Sequence, residues 1–336
     1  MNKNKTGLTN LINQLRKSSN PYLIKKIAAN MYLSESPHLK ILESFGKHPA
    51  KNTLAQKRAL IKVIIRDFGN FDIRELSVHQ IQIRLMNDTF HSSSWKNMYL
   101  SVFTEIYDYT TFVCPRQIQK PIFLTFVRNS KKCDIFYTDE LNKLFLPENW
   151  DSKDMYLFFL LTFSCGLRLG ECRGLLVRQL FFEQKILLVD GFCDRDGKRI
   201  NHCKKGSEDN KKARIAPLTE KLISELKDYI RQNNKKADDF LFSIDQKAIN
   251  AEHARRMFYK ALKKSGIQIG NRKLVPHSLR FTYVTRMRRL LDLESTRKIA
   301  GHTSPEMTEY YTRSNLQDLI EGLSKKIFTA SEQLFK

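Results

Sequence analysis

The run Met155–Cys165, MYLFFLLTFSC, constrains this chain more than any other stretch. It carries no charged residue. A helix that is apolar all round must be covered by protein on every side, and the run falls far short of the roughly 18 residues that span a bilayer. It therefore has to be a central helix of a folded domain. Gly166 follows at once, and a residue without Cβ permits the left-handed turn that ends such a helix. Arg168 and Glu171 come next. Alone they read as an ion pair at the start of another helix. An Arg fixed by a tight turn and braced by a carboxylate is equally a means of aiming a guanidinium at a phosphate.

Charge narrows the partner. Of 336 residues, 58 are Lys or Arg and 35 are acidic, a formal net charge of +23, and 41% are hydrophobic. That is enough apolar material for two domains with cores. The positive surplus points to a polyanion, either nucleic acid or an anionic membrane surface. No apolar run is long enough to span a bilayer, and the N-terminal stretch MNKNKTGLTNLINQLRKSSN shows no apolar core ahead of a cleavage site. Nucleic acid is therefore the favoured partner. The six cysteines (Cys114, Cys133, Cys165, Cys172, Cys193, Cys203) form no CxxC pair and lack histidines at zinc-finger spacing. They read as thiols in a reducing cytoplasm, not as disulfides or metal ligands.

Residues 1–34 read as a basic N-terminal segment, with Lys3, Lys5, Arg16, Lys17, Lys25 and Lys26 and no acid before residue 31; Leu8 to Leu15 can form a short helix. Residues 35–113 read as a compact helical domain. Leu54, Leu60, Val63 and Ile64 recur at helical spacing up to a stop at Gly69. Ser77 caps a helix running to Met86, and Ser93 or Ser94 caps another. Residues 114–133 hold Arg116, Lys120, Arg128, Lys131 and Lys132, no acid and two prolines. They read as an extended basic linker suited to lying along phosphates. A second domain, 134–325, opens with Thr138 as an N-cap, and 326–336 form a C-terminal tail. Its clearest strands are Ile186–Phe192 and Arg214–Leu218. Cys203–Leu218 reads as a hairpin with a turn over Gly206–Asn210 and lysines near its tip.

Two further groupings carry chemistry. His277 and Arg280 are three apart after Pro276, so they share a helix face and can bracket two phosphate oxygens. In GHTSPEMTEYYTR, Gly301 fits a helix C′ position and Ser304-Pro305-Glu306 a helix start, leaving His302 in a tight connection. Tyr310 and Tyr311 then lie about 100° apart around a helix, so they cannot face one target.

Together these groups resemble the catalytic set of the tyrosine recombinase (phage integrase) family, over nearly the whole second domain. The family's T-x-x-x-G-L-R-x-x-E stands here as Thr162, Gly166, Leu167, Arg168 and Glu171. Its H-x-L-R is His277-Ser278-Leu279-Arg280, and its G-H followed by T-x-x-Y is Gly301-His302, Thr308 and Tyr311. The family tyrosine sits nine residues after that His, which selects Tyr311. Two departures stand out. Phe281 occupies a position where many members have His. The turn between Lys205-Gly206 and Arg214 is longer than in the family's Lys-Gly-x-Lys-x-Arg, so Lys205 is the choice for the hairpin lysine with Lys204 and Lys211 as alternatives.

The resemblance implies a mainly α fold with a small antiparallel β-sheet: a helical core-binding domain and a mixed α+β catalytic domain forming a clamp around DNA. It implies cutting and rejoining of DNA strands through a 3′-phosphotyrosyl intermediate, with no metal or nucleotide cofactor. The implied catalytic residues are Arg168, Lys205, His277, Arg280, His302 and Tyr311, with Glu171 orienting Arg168. The implied partners are double-stranded DNA bearing specific recombination sites, three further copies of the chain in a tetramer on DNA, and accessory DNA-bending proteins; no membrane is involved. The implied place is the cytoplasm, on the chromosome, and the implied setting is integration and excision of a mobile element. A DNA-binding protein with a vestigial site and a type IB topoisomerase are the competing readings. Beyond Tyr311, the apolar stripe Leu316, Leu319, Ile320, Leu323 and Ile327 either packs on its own domain or docks on a neighbouring protomer. Deleting residues from about 314 onward separates the two. A folded product that binds DNA without recombining it indicates docking between protomers, and an unfolded product indicates self-packing.

Overall fold

The computed structural model describes residues 20–113, 118–127, 133–203, 213–302 and 304–311, with Tyr311 described in its backbone only. The chain divides into two compact units, residues 1–130 and 131–336.

The first unit is helical: α1 (Ile24–Ala28), α2 (Pro37–Ser44), α3 (Lys51–Phe68), α4 (Val78–Met86) and α5 (Ser93–Val113). Ser77 caps α4 as expected, accepting from the Gln80 N–H at 3.2 Å while Gln80 Oε1 accepts from Ser77 N at 2.9 Å, a reciprocal capping box. The cap of α5 is Ser92, one residue ahead of the serines the sequence suggests: its hydroxyl accepts from Trp95 N at 3.3 Å. Burial is not confined to the long helices. Tyr22, Ile24, Ile27, Met31 and Tyr32 share one core with Leu60, Ile64, Phe103 and Ile106. The packed unit therefore starts well before residue 35, because Ile24, Ile27 and Ala28 fall at i, i+3 and i+4 and give α1 an apolar face despite Lys25 and Lys26.

Part of the basic 114–133 stretch also belongs to this unit. Ile118 is buried, and Phe123 and Phe126 pack on the core. The Asn97 amide grips the extended backbone at Phe126, donating to its carbonyl at 2.8 Å and accepting from its N–H at 2.7 Å. Gln82 donates to Leu124 O at 2.9 Å. Side-chain amides here do what a neighbouring strand would do for extended backbone.

The second unit runs α6 (Thr138–Leu144), α7 (Lys153–Ser164), α8 (Leu169–Arg173), β1 (Leu180–Phe181), β2 (Ile186–Val189), β3 (Phe192–Cys193), β4 (Arg199–Ile200), β5 (Arg214–Pro217), α9 (Glu220–Gln232), β6 (Ser243–Ile244), β7 (Lys247–Ala248), α10 (Ala251–Lys264), α11 (Pro276–Leu290), α12 (Leu293–Ala300) and α13 (Pro305–Tyr311). As the apolar run requires, α7 is its buried centre: Leu157, Phe158, Phe159 and Leu161 are fully buried, among Phe242, Phe258 and Leu187. Thr138 is the first residue of α6 and not its cap; the cap position falls on Tyr137, whose N–H donates to Glu140 Oε2 at 2.9 Å. The main sheet is antiparallel, ordered β1-β2-β5, with Val189 opposite Arg214 and Ile186 opposite Pro217. The partner of β5 is thus β2, and Cys203 lies in no strand; the turn over Gly206–Asn210 lies outside the described residues. Between the paired strands, β3 and β4 form a separate hairpin.

Gly166 ends α7 at φ +56°, and a Cβ there would stand 2.2 Å from the Tyr283 ring. The turn that delivers Arg168 is therefore pressed against α11, and only glycine fits. Gly166→Ala is expected to cost about 3 kcal/mol, combining left-handed strain with overpacking, read as a lower urea midpoint.

Candidate active site

Four segments converge beside the sheet: the α7–α8 turn, the start of β5, the first turns of α11 and the α12–α13 turn. The α7–α8 turn contributes Arg168 and Glu171. Glu171 is 1% exposed. Its carboxylate accepts from Arg168 N at 2.9 Å and from Arg168 Nη1 at 2.7 Å, so one residue both caps α8 and holds the guanidinium. It also accepts from Arg214 Nη2 at 2.9 Å. Burial pushes the carboxyl up, but Arg214, Arg280 and Arg168 outweigh it and hold Glu171 down at about 2. It is an anion at any working pH.

Arg280 is fully buried. Its two terminal nitrogens donate to Gly166 O and Ala300 O, each two residues before another member of the set, Arg168 and His302. One guanidinium thus ties the two turns together. His277 lies one turn earlier on α11, partly exposed, its ring 5.4 Å edge-on from Phe281.

Gly301 ends α12 in the left-handed conformation, φ +64°, and the next residue, His302, is 4% exposed. Its Nδ1 lies 2.9 Å from the Thr308 hydroxyl on α13, the Thr that stands three residues before Tyr311. Burial, then the charges of Arg280, Arg168 and Arg214, depress its pKa to about 3. The ring is therefore neutral at physiological pH, suited to hydrogen bonding and not to acting as a cation. Phe281 is buried, and its ring seats Tyr310 edge-on at 5.8 Å between centroids. Tyr310 thus has a packing partner on α11 while remaining half exposed. The backbone of Tyr311 closes α13. Lys205, with its alternatives Lys204 and Lys211, lies outside the described residues.

Around His302, among the described residues, three guanidiniums face one carboxylate. Such a surplus of buried positive charge costs stability unless an anion completes it. One residue of this cluster has no role in the sequence reading beyond matching a motif: Arg214, 6% exposed. Its signal was present, since Arg214 is in phase with the buried Ala216 and Leu218 and so sits on the core face of its strand.

The phage integrase family model matches residues 135–318. The chain belongs to the phage integrase family. Curated relatives are tyrosine recombinases: XerA of Pyrococcus furiosus is 28% identical over 172 residues, 50% of this chain and 53% of that protein. XerC of Corynebacterium glutamicum is 26% identical over 172 residues, 49% and 48% of the two chains. The chain spans about half the length of these relatives. In fold it is similar to the Tn1549 transposon integrase in complex with transposon right end DNA, with a TM-score of 0.69 at 16% identity, over 89% of this chain and 98% of that one. It is also similar to a lambda integrase from a tetramer bound to a Holliday junction, with a TM-score of 0.62 at 14% identity, over 85% and 76%. The expected fold class, mainly α with small antiparallel sheets, is the one observed. Among the described residues no helix is long and apolar enough to cross a membrane.

The depressed His302 sets a pH dependence. Its folded value, about 3, lies below the ordinary 6.5 of an unfolded His. The unfolded chain thus takes up a proton that the fold refuses. Stability is unaffected above pH 6.5 and falls as pH drops from 6.5 toward 3, by about 1.4 kcal/mol per unit at most. His302→Gln is expected to flatten the fall in urea midpoint between pH 6.5 and 4.

Proposed function

We propose that this chain is a site-specific DNA recombinase in which Tyr311 attacks a DNA phosphodiester. The observation that carries the reading is the joint placement of Arg168 and a neutral His302 on two turns stitched by Arg280 of α11, with Thr308 keying the tyrosine-bearing helix to His302. The surplus of two positive charges in that cluster matches a phosphodiester that gains negative charge as a fifth oxygen approaches.

The step balances without a consumed cofactor. The Tyr311 oxygen forms a bond to phosphorus, and the bond from phosphorus to the 5′-oxygen breaks. The product is a 3′-phosphotyrosyl linkage and a 5′-hydroxyl. His277 assists as acid/base for the tyrosine proton, and Lys205 protonates the leaving oxygen. Arg168 and Arg280 stabilise the charge that develops on the nonbridging oxygens, and His302 hydrogen-bonds the phosphate. Bond energy stays in the linkage, so the 5′-hydroxyl of a partner strand reverses the step and completes exchange. Loss of either arginine costs roughly 10²–10³-fold in rate or more.

On this reading the helical unit, residues 35–113 with the packed residues before it, and the catalytic unit, 134–325, close on duplex DNA as a clamp, joined by the basic 114–133 stretch. Four protomers assemble on paired recombination sites with help from DNA-bending proteins. The work is integration and excision of a mobile element on the chromosome in the cytoplasm. The family membership, the net charge of +23 and the fold likeness to integrases support this.

On a nicked suicide duplex carrying its site, the wild-type protein is expected to form a covalent adduct. Tyr311→Phe binds the duplex and forms none, whereas Tyr310→Phe retains the adduct. The reverse pattern would overturn the assignment of the nucleophile. No adduct from any variant would favour a vestigial site, and relaxation of supercoiled DNA with no sequence requirement would favour a topoisomerase.

A further inference from the structure

We propose that Arg214 is a positioning residue for strand cleavage, coupling the arginine half of the site to the histidine–tyrosine half; this rests on the recombinase reading above. Arg214 enters from the core face of β5. One terminal nitrogen donates to Ile299 O at 2.9 Å and Cys165 O at 3.3 Å; the other reaches Glu171 Oε2 at 2.9 Å and Gly166 O at 3.4 Å. Its four contacts thus divide between the α7–α8 turn, which aims Arg168, and the end of α12, which aims His302. The fit is close: a Cβ on Gly301 would stand 2.6 Å from Arg214 Cδ. The residue beside His302 must be glycine not only for its left-handed φ but because the stem of Arg214 fills the space.

Arg280 already links the two turns from the α11 side. Arg214 links them from the sheet side, and it also holds the carboxylate that braces Arg168. Two braces from different elements remove the hinge freedom that one would leave, so Arg168 and His302 keep one separation. A displacement of about 1 Å in such a set can cost on the order of 10²-fold in rate. Arg214 also bears on the state of His302, which faces Arg168 and Glu171 from the α7–α8 segment, Arg280 from α11 and Thr308 from α13. Removing one neighbouring cation eases protonation of the ring.

The test uses the full chain on the suicide duplex, with Arg214→Lys, Arg214→Met, wild type and Tyr311→Phe side by side. A lysine keeps a cation beside Glu171, but a single ammonium cannot span four acceptors on two segments. Arg214→Lys is expected to remain folded by circular dichroism and to bind the duplex within about three-fold of wild type. Its single-turnover adduct formation at saturating duplex falls on the order of 10²-fold, the loss expected for a misplaced catalytic set. Arg214→Met is slower again, and its acid limb moves to higher pH. A folded Arg214→Lys that cleaves within about three-fold of wild type overturns the proposal. So does an unfolded Arg214→Lys, which would make Arg214 a residue of fold stability alone. If wild type itself forms no adduct, the recombinase reading fails separately. Arg214 is then judged by the His302 ring signals in the free protein, where an unchanged titration in the folded variants overturns its coupling role.

Discussion

The second unit depends on a buried ionic knot. Glu171 lies between Arg168 and Arg214, while Arg280 and Arg214 hold the backbone carbonyls of two turns. Buried ion pairs are weak contributors to stability, because desolvation offsets their Coulomb gain. Their use here is geometric. The carbonyls at Cys165, Ile299 and Ala300 are acceptors that two helix ends leave behind, and that of Gly166 belongs to the turn that follows; the guanidiniums satisfy them while fixing both turns. The same bonds that finish α7 and α12 therefore hold Arg168 and His302 in place.

This explains why glycines stand at both turns. Gly166 lies under the Tyr283 ring and Gly301 against Arg214, each at a positive φ. Both turns must be left-handed to stop a helix and stripped of a side chain to let an arginine or an aromatic ring come close. The two demands coincide at one residue in each case, so neither position tolerates a compromise such as Asn.

Much of this was legible in the chain. The all-apolar α7 demanded a central position, Gly166 its termination and the Arg168–Glu171 spacing its braced guanidinium. The Ser77 cap was legible because caps are local. What escaped was long-range or weakly patterned. Strand β5 pairs across an inserted hairpin with β2, and four-residue strands carry no mark of their partner. The helix IKKIA was hidden by its lysines, though its i, i+3, i+4 apolar face was present. Thr138 gave way to Tyr137 at the cap position of α6 because the Glu140 carboxylate reaches back to the Tyr137 N–H, starting the helix one residue earlier than the Thr hydroxyl suggests. Arg214 was missed for a different reason: an arginine at a strand start is ordinarily outward, and only the phase shared with Ala216 and Leu218 shows that it points in.

The charge balance of the knot connects fold to chemistry. With His302 neutral, one carboxylate faces three guanidiniums among the described residues, and that surplus cannot be relieved by rearrangement, since each arginine is committed to fixed acceptors. A site that is preorganised and electrostatically incomplete gains most from a ligand whose negative charge grows during the reaction. A phosphodiester passing to a five-coordinate phosphorane is such a ligand. On the recombinase reading, the fold carries the cost of holding like charges together and recovers it only when the transition state is present, which is the condition for catalysis and not merely for binding.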